Sequence, residues 1–237
     1  MILWGLLAKA GEAINIGEKK MGRFTKQMEK WCGRFGKEYT DRNALSLEEM
    51  EKLHERNYGI SRTKMNSMFL EDMNRSIRIL EVGSNIGNQL LCLQNMGFTN
   101  LYAVELQAYA VKLSKSRTQN INIIQGSAFN IPCRDESFDL VFASGLLIHI
   151  SPADIDFVLN EIYECSNKYI WGFEYYADSL TEINYRGETG LLWKTNFVEL
   201  YLERFPNLRL IREERFKYLR NDNLDVMFLL EKRAGLS

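Results

Sequence analysis

The chain has 237 residues, 46% hydrophobic and 26% charged, with 30 Lys+Arg against 31 Asp+Glu and a formal net charge of −1. That composition supplies enough apolar material for a full core and excludes disordered, collagen-like and coiled-coil classes. A near-neutral total also argues against a protein built to grip nucleic acid or an anionic membrane, since both tasks need a net basic face. Nine Lys+Arg and five Asp+Glu between Met1 and Asn43 leave the N-terminal arm basic and the remainder acidic, as expected of a solvated helix face.

The opening Met1–Leu7 is apolar, but it has no basic region before it and falls far short of the ~20 residues that span a bilayer. It reads as a packing helix. Phe24, Met28, Trp31 and Phe35 recur at helical spacing and predict one stripe ending near Gly36. Ser46 and Glu49 form a capping box ahead of Met50, Leu53 and Tyr58, and Ser61 opens a further helix carrying Met65, Met68, Phe69 and Met73. Residues 1–76 are therefore expected to be a helical extension, or lid, of a single unit over 77–237. No Pro/Gly/Ser-rich linker separates the two, and the three prolines are Pro132, Pro152 and Pro206. Cys32, Cys92, Cys133 and Cys165 show no CxxC spacing and have no nearby histidine, so no metal site is expected. Four scattered thiols read as free, mostly buried cysteines of a reducing cytoplasm.

From Ile77 the periodicity changes. Strands are predicted at 77–82, 101–105, 121–125, 138–143 and 168–174. Helices are predicted at 88–96, 107–117 and from Pro152, behind a Ser151 cap, to about Cys165. This alternation predicts a parallel sheet covered by helices on both faces. A last helix over about 195–205 precedes two strands, 208–218 and 224–232, joined by Asn221-Asp222-Asn223. So short a joint makes those two strands antiparallel, with a reversed strand closing the sheet. The fold class is α/β: a Rossmann-like, seven-stranded, mostly parallel sheet with a C-terminal antiparallel hairpin and an N-terminal helical extension.

Ligands of such sheets bind outside the carboxyl ends of the strands. The Glu81-Val82-Gly83-Ser84-Asn85-Ile86-Gly87 turn follows the first strand, and its glycines let backbone approach a ligand closely. Glu105 ends the second strand, 22 residues beyond Gly83, where a carboxylate accepts hydrogen bonds from ribose hydroxyls. Together they point to a nucleoside with a group attached.

In that order, Glu81–Gly87, Ala103–Leu106, Gly126–Ala128 and Phe138–Ile150 resemble the motifs of class I S-adenosylmethionine-dependent methyltransferases, over about Ile77 to Lys232. More narrowly, Trp31–Asn43, Glu174–Tyr176, Tyr185–Gly187 and Leu191–Lys194 resemble methylases associated with pseudaminic acid biosynthesis. The resemblance implies S-adenosylmethionine as cofactor, with S-adenosylhomocysteine as product. It implies Glu81, Gly83, Ser84, Asn85 and Gly87 around the methionine part, Glu105 on the ribose, Leu106 on the adenine face, Ser127 and Ala128 at the adenine edge, and the Ser144 carbonyl on the ammonium. Asn85 replaces the middle glycine of the turn, and Ser127 stands where an aspartate commonly meets the adenine amino group. Arg42 with Tyr39 is expected to clamp the cofactor carboxylate, unless Arg42 simply pairs with a surface acid.

Transfer from a sulfonium needs alignment more than acid–base help, and a base serves only if the acceptor must lose a proton. His149 and Glu174 are the candidates, His149 having packing as its alternative role. His54 reads as structural. Trp31, Tyr175, Tyr176, Tyr185, Arg186, Trp193 and Lys194 are candidate substrate contacts, aromatic and basic as an acidic sugar or sugar nucleotide requires. The rival readings are a nicotinamide oxidoreductase, which would carry the full GxGxxG, and a nucleoside-binding regulatory module without catalysis. No Asn/Asp-Pro-Pro-Tyr/Phe run follows the fourth strand, so the expected partner is a small molecule, neither nucleic acid nor membrane.

Overall fold

Two short helices come first in the computed structural model, which describes residues 24–233; the apolar Met1–Leu7 segment lies outside the described residues. They are α1 (Lys26–Cys32), capped by the Thr25 hydroxyl, and α2 (Arg34–Arg42). The single helix expected to stop near Gly36 instead breaks at the extended Gly33 and runs on through Gly36. The reason is tertiary: a Cβ on Gly36 would lie 1.8 Å from the Trp31 carbonyl oxygen and 2.7 Å from Gln107 Nε2. Glycine is needed there for close approach, not for termination. Helix α3 (Leu47–Tyr58) has the predicted capping box and ends on left-handed Gly59, and α4 (Arg62–Leu70) is capped by Ser61.

The α/β body follows in chain order: β1 (Arg78–Val82), α5 (Asn88–Asn95), β2 (Asn100–Glu105), α6 (Ala108–Arg117), β3 (Ile121–Gln125), β4 (Phe138–Ser144), a 3-10 turn (Leu147–His149), α7 (Ile155–Cys165) and β5 (Ser166–Tyr175). Helix α7 starts later than Pro152 suggested. The Ser151 hydroxyl donates to Asp154 at 2.7 Å, and Asp154, not Ser151, is the N-cap residue. A small ribbon, β6 (Thr181–Glu182) with β7 (Trp193–Lys194), was not foreseen. Then come α8 (Phe197–Arg204), β8 (Leu208–Lys217) and β9 (Leu224–Lys232).

The seven-stranded sheet has the order β3-β2-β1-β4-β5-β9-β8. The first five strands are parallel; β9 runs antiparallel to both β5 and β8, so the reversed strand sits one place inside the edge. Side chains alternate between faces. Leu80, Val82, Val141, Ala143, Ile170, Val226 and Phe228 pack under α7 and α8. Ile79, Ala103, Leu140, Phe142, Trp171, Phe173, Met227 and Leu229 pack under α4, α5 and α6. The same alternation puts Glu81, Ser144, Phe173, Tyr175 and Asp225 on the α4 face at the carboxyl edge, and Glu174 on the other.

The cysteine reading needs correction. Cys133, beyond β3, and Cys165, ending α7, form a disulfide with Cα atoms 6.6 Å apart. Sequence spacing hid the pair because the chain folds back through β4 and α7 between them. Cys92 is a buried free thiol and Cys32 an exposed one. Among the described residues no helix is long and apolar enough to cross a membrane, and no three His, Cys, Asp or Glu gather as a metal site would require.

Candidate active site

The carboxyl ends of β1, β2, β4 and β5, the start of β9 and helices α1 to α4 enclose a cavity of about 460 Å³, a size suited to small molecules. After β1 the chain reverses through Gly83 (φ 75°), Asn85 (φ 48°) and Gly87 (φ 78°). Asn85 thus adopts a left-handed conformation, one that asparagine tolerates better than most residues. A Cβ on Gly83 would meet Leu146 Cδ1 at 2.8 Å, and the left-handed backbone there favours glycine in any case.

Glu105 braces this turn. One oxygen accepts from the Asn85 amide and the other from the Gln107 amide, both at 2.8 Å. Burial pushes its pKa up, against the pull of those amides. Each carboxylate oxygen has a second lone pair, so ribose hydroxyls can still be accepted. Glu81 is buried, burial holds its carboxyl well above the usual range, and its Oε2 has no partner. Trp31 Nε1, Ser84 Oγ, Asn85 Oδ1 and Asp225 Oδ1 are likewise buried without partners, and all five residues line the cavity. Unpartnered buried polar atoms are rare in native folds, and five around one cavity mark a space shaped for a polar ligand.

His149 ends the 3-10 turn inside a cluster of rings, 4.6 Å from Trp31, 5.5 Å from Tyr185 and 6.3 Å from Tyr39 between centroids. Its Nδ1 lies 2.7 Å from the Leu191 carbonyl, which fixes the proton on Nδ1 and leaves Nε2 as the basic nitrogen. Burial lowers its pKa to about 4. Glu174 accepts from the amides of Leu146 and Leu147 at 3.1 Å and of Ile148 at 3.4 Å. That carboxylate pins the turn carrying His149, and burial raises its pKa to about 8 despite those amides.

Of the other predicted residues, Trp31, Tyr39, Gly83, Leu106, Ser127, Ala128, Ser144, Tyr175 and Tyr185 stand on the cavity wall. Ser127 faces inward near Met28 and its hydroxyl accepts from the Phe129 amide at 3.1 Å. Six predicted residues are not on the wall. Gly87 is the N-cap of α5 and shapes the turn from behind. Arg42 is exposed on α2, so the proposed carboxylate clamp is withdrawn. Tyr176 packs on the far face, its hydroxyl on Asp178 and its ring under Arg215. Arg186 is exposed, Trp193 is buried in the small ribbon, and Lys194 donates to Asn223 at 2.6 Å.

The wall's cation is instead Arg62, the first residue of α4 and 3% exposed. Its guanidinium donates to Gln89 at 2.8 Å and to Ser144 Oγ at 3.1 Å, and lies 4.3 Å from the Phe173 ring centre. Sequence reasoning took His54 as structural and passed over Tyr58, Tyr218 and Asp225, and all four line the same end. The available signal was a lone acid opening the otherwise apolar run Leu224–Leu230.

Sheet order, inserted antiparallel strand and glycine turn make this a Rossmann-like fold of the kind found in solved methyltransferases. Residues 80–168 match the family described as "Methyltransferase domain". A 1,6-didemethyltoxoflavin-N1-methyltransferase of Burkholderia thailandensis, solved with 1,6-didemethyltoxoflavin and S-adenosylhomocysteine, is similar at 14% identity and TM-score 0.66, covering 95% of this chain and 97% of its own. A putative methyltransferase of Haloferax volcanii, solved with the activator Trm112, gives 13%, 0.65, 90% and 100%. The PH0226 protein of Pyrococcus horikoshii OT3 gives 16%, 0.61, 82% and 95%. No curated protein matches the sequence.

Proposed function

We propose that the protein is an S-adenosylmethionine-dependent methyltransferase acting on a small molecule. The observation that carries this reading is the Glu81–Gly87 turn braced by Glu105, with unpartnered Glu81 Oε2, Ser84 Oγ and Asn85 Oδ1 beside it. An ammonium and neighbouring donors satisfy those atoms, Glu105 takes the ribose hydroxyls, and Leu106, Ser127 and Ala128 bound the adenine. Arg62, in place of Arg42, faces the carboxylate. When bound, S-adenosylmethionine supplies a methyl group on a sulfonium, which departs as a neutral thioether. The chain's own part is to align the acceptor and exclude water, with α1 and α2 closing over the turn.

His149 Nε2 is the group placed to take a proton from an acceptor hydroxyl or amine, and Glu174 orients it through the 3-10 turn without touching the acceptor. An acidic sugar or sugar nucleotide remains the family-derived substrate class. Isothermal titration tests the reading: S-adenosylhomocysteine is expected to bind one to one while a nicotinamide dinucleotide does not. Labelled S-adenosylmethionine incubated with protein and a cell extract is expected to label a small molecule. Failure to bind S-adenosylhomocysteine would sink the proposal.

A further inference from the structure

At the end of the cavity away from the glycine turn, three strands bring one carboxylate under a set of rings. Tyr175 of β5 and Asp225 of β9 are directly cross-strand, and Asp225 is paired on its other side with Phe216 of β8, two residues before Tyr218. Asp225 is 2% exposed. Its Oδ2 accepts from Tyr58 at 2.5 Å and from Tyr218 at 3.1 Å, while Oδ1 is buried with no partner. Two donors on one oxygen anchor the carboxylate; the other oxygen lacks the bond that a buried acceptor requires. Arg62 does not supply it, being bonded to Gln89 and Ser144.

The surroundings say what kind of donor fits. Tyr58 and Tyr218 meet edge to face at 4.7 Å, and Tyr58 and Phe173 at 6.2 Å, so the space beside Oδ1 has flat apolar walls. One face of Phe173 is taken by Arg62 and one of Tyr175 by Lys194, at 4.3 and 5.0 Å from the ring centres. Both protein cations also act on the Asp225 carboxylate, so a ligand cation beside Oδ1 would have to share it with them.

We infer that Asp225 Oδ1 receives a hydrogen bond from a neutral O–H or N–H group of a flat methyl acceptor, and so selects acceptors presenting a donor at that point. This rests on the methyltransferase reading above. It assigns Asp225, Tyr58 and Tyr218 to acceptor recognition, a role none of the sequence motifs suggested.

Small rings of matched size probe it directly: aniline (a neutral donor), anisole (an acceptor only) and benzylammonium (a cation). Each is titrated by ligand-observed NMR at pH 8, above the Asp225 pKa of about 7, into protein saturated with S-adenosylhomocysteine. Aniline is expected to bind roughly tenfold more tightly than anisole, the worth of one hydrogen bond to a charged group. In Asp225→Asn the tyrosine donors hold the amide oxygen in the place of Oδ2, which puts an N–H donor where Oδ1 stood. The preference should then reverse toward anisole. Equal binding of aniline and anisole to the native chain, a preference for benzylammonium, no binding of any of them, or an unchanged ratio in a folded Asp225→Asn would each overturn the inference. The native ratio decides the matter if that variant does not fold. A chain that binds S-adenosylhomocysteine without preferring aniline refutes this inference alone; one that does not bind it refutes the underlying reading as well.

Discussion

Glu105 serves two purposes with one carboxylate, fixing the Asn85 and Gln107 amides while facing the cavity. Glu105→Ala removes both braces, and hydrogen bonds to a charged acceptor contribute about 1.5–3 kcal/mol each. Affinity for S-adenosylhomocysteine should fall at least tenfold by calorimetry, with Glu105→Gln intermediate because an amide oxygen keeps one brace. His149 gives a second prediction. Its pKa lies below the ordinary 6.5, at about 4, so the ring is neutral at pH 7. The stability tied to the neutral ring is complete above pH 6.5 and is lost as pH falls toward 4, about 3 kcal/mol in all. Proton NMR should find no His149 titration between pH 6 and 7.5; a midpoint there would contradict the buried, carbonyl-bonded ring. Residues at strand ends were legible because a strand–turn–helix pattern dictates where they sit. Arg62 and Asp225 were not, because their place depends on which face of α4 and β9 meets the cavity, and that is a matter of register.

Helices α1 and α2 hang on a few polar contacts across the cavity mouth. Gln107 Nε2 donates to the Trp31 carbonyl at 2.8 Å, and Thr40 Oγ1 donates to Gln107 Oε1 at 2.9 Å. Gln107→Ala cuts both, leaves a buried Thr40 hydroxyl and should weaken docking by about 1–3 kcal/mol. Hydrogen exchange is the measurement: amides of 26–42 should exchange faster while those of β1 and β4 do not change. Gly36→Ala should produce the same local loosening more severely, since its methyl collides with backbone. Uniform acceleration across the chain would show instead that these helices fold as one unit with the sheet. Element type was readable along most of the chain from periodicity and caps, as the Ser46 box and the identical bounds of β3 show. At Gly33 and Gly36 it was not, because local pattern treats any glycine as a stop and only the packing against Gln107 separates the two.

At the scale of the whole molecule, alternation of strands and helices prescribes a covered parallel sheet, and the short Asn221–Asn223 joint prescribes a hairpin. Neither prescribes that β9 slots between β5 and β8, which is what carries Asp225 to the carboxyl edge. The result is a cavity holding four acids, Glu81, Glu105, Glu174 and Asp225, around one arginine. Burial raises all four pKa values, Asp225 to about 7 and Glu174 to about 8. An acid whose pKa rises on folding adds stability that is complete below its unfolded pKa and is lost as pH climbs toward the folded value. The two histidines act oppositely: His54, lowered to about 3, and His149 add stability as pH rises, but only up to about 6.5. Below pH 6.5 the two sets offset; between 6.5 and 8 the acids act alone. The melting temperature of the ligand-free protein should therefore decline from pH 6.5 to 8. Asp225→Asn should flatten the early part of that decline, because its amide cannot ionise yet still accepts from Tyr58 and Tyr218. S-adenosylhomocysteine, bringing an ammonium to the Glu81 side, should stabilise more at pH 8 than at 6.5. Differential scanning fluorimetry across this range reads all three effects, and a melting temperature that rises with pH would mean that the buried carboxylates are already ionised and paired without ligand.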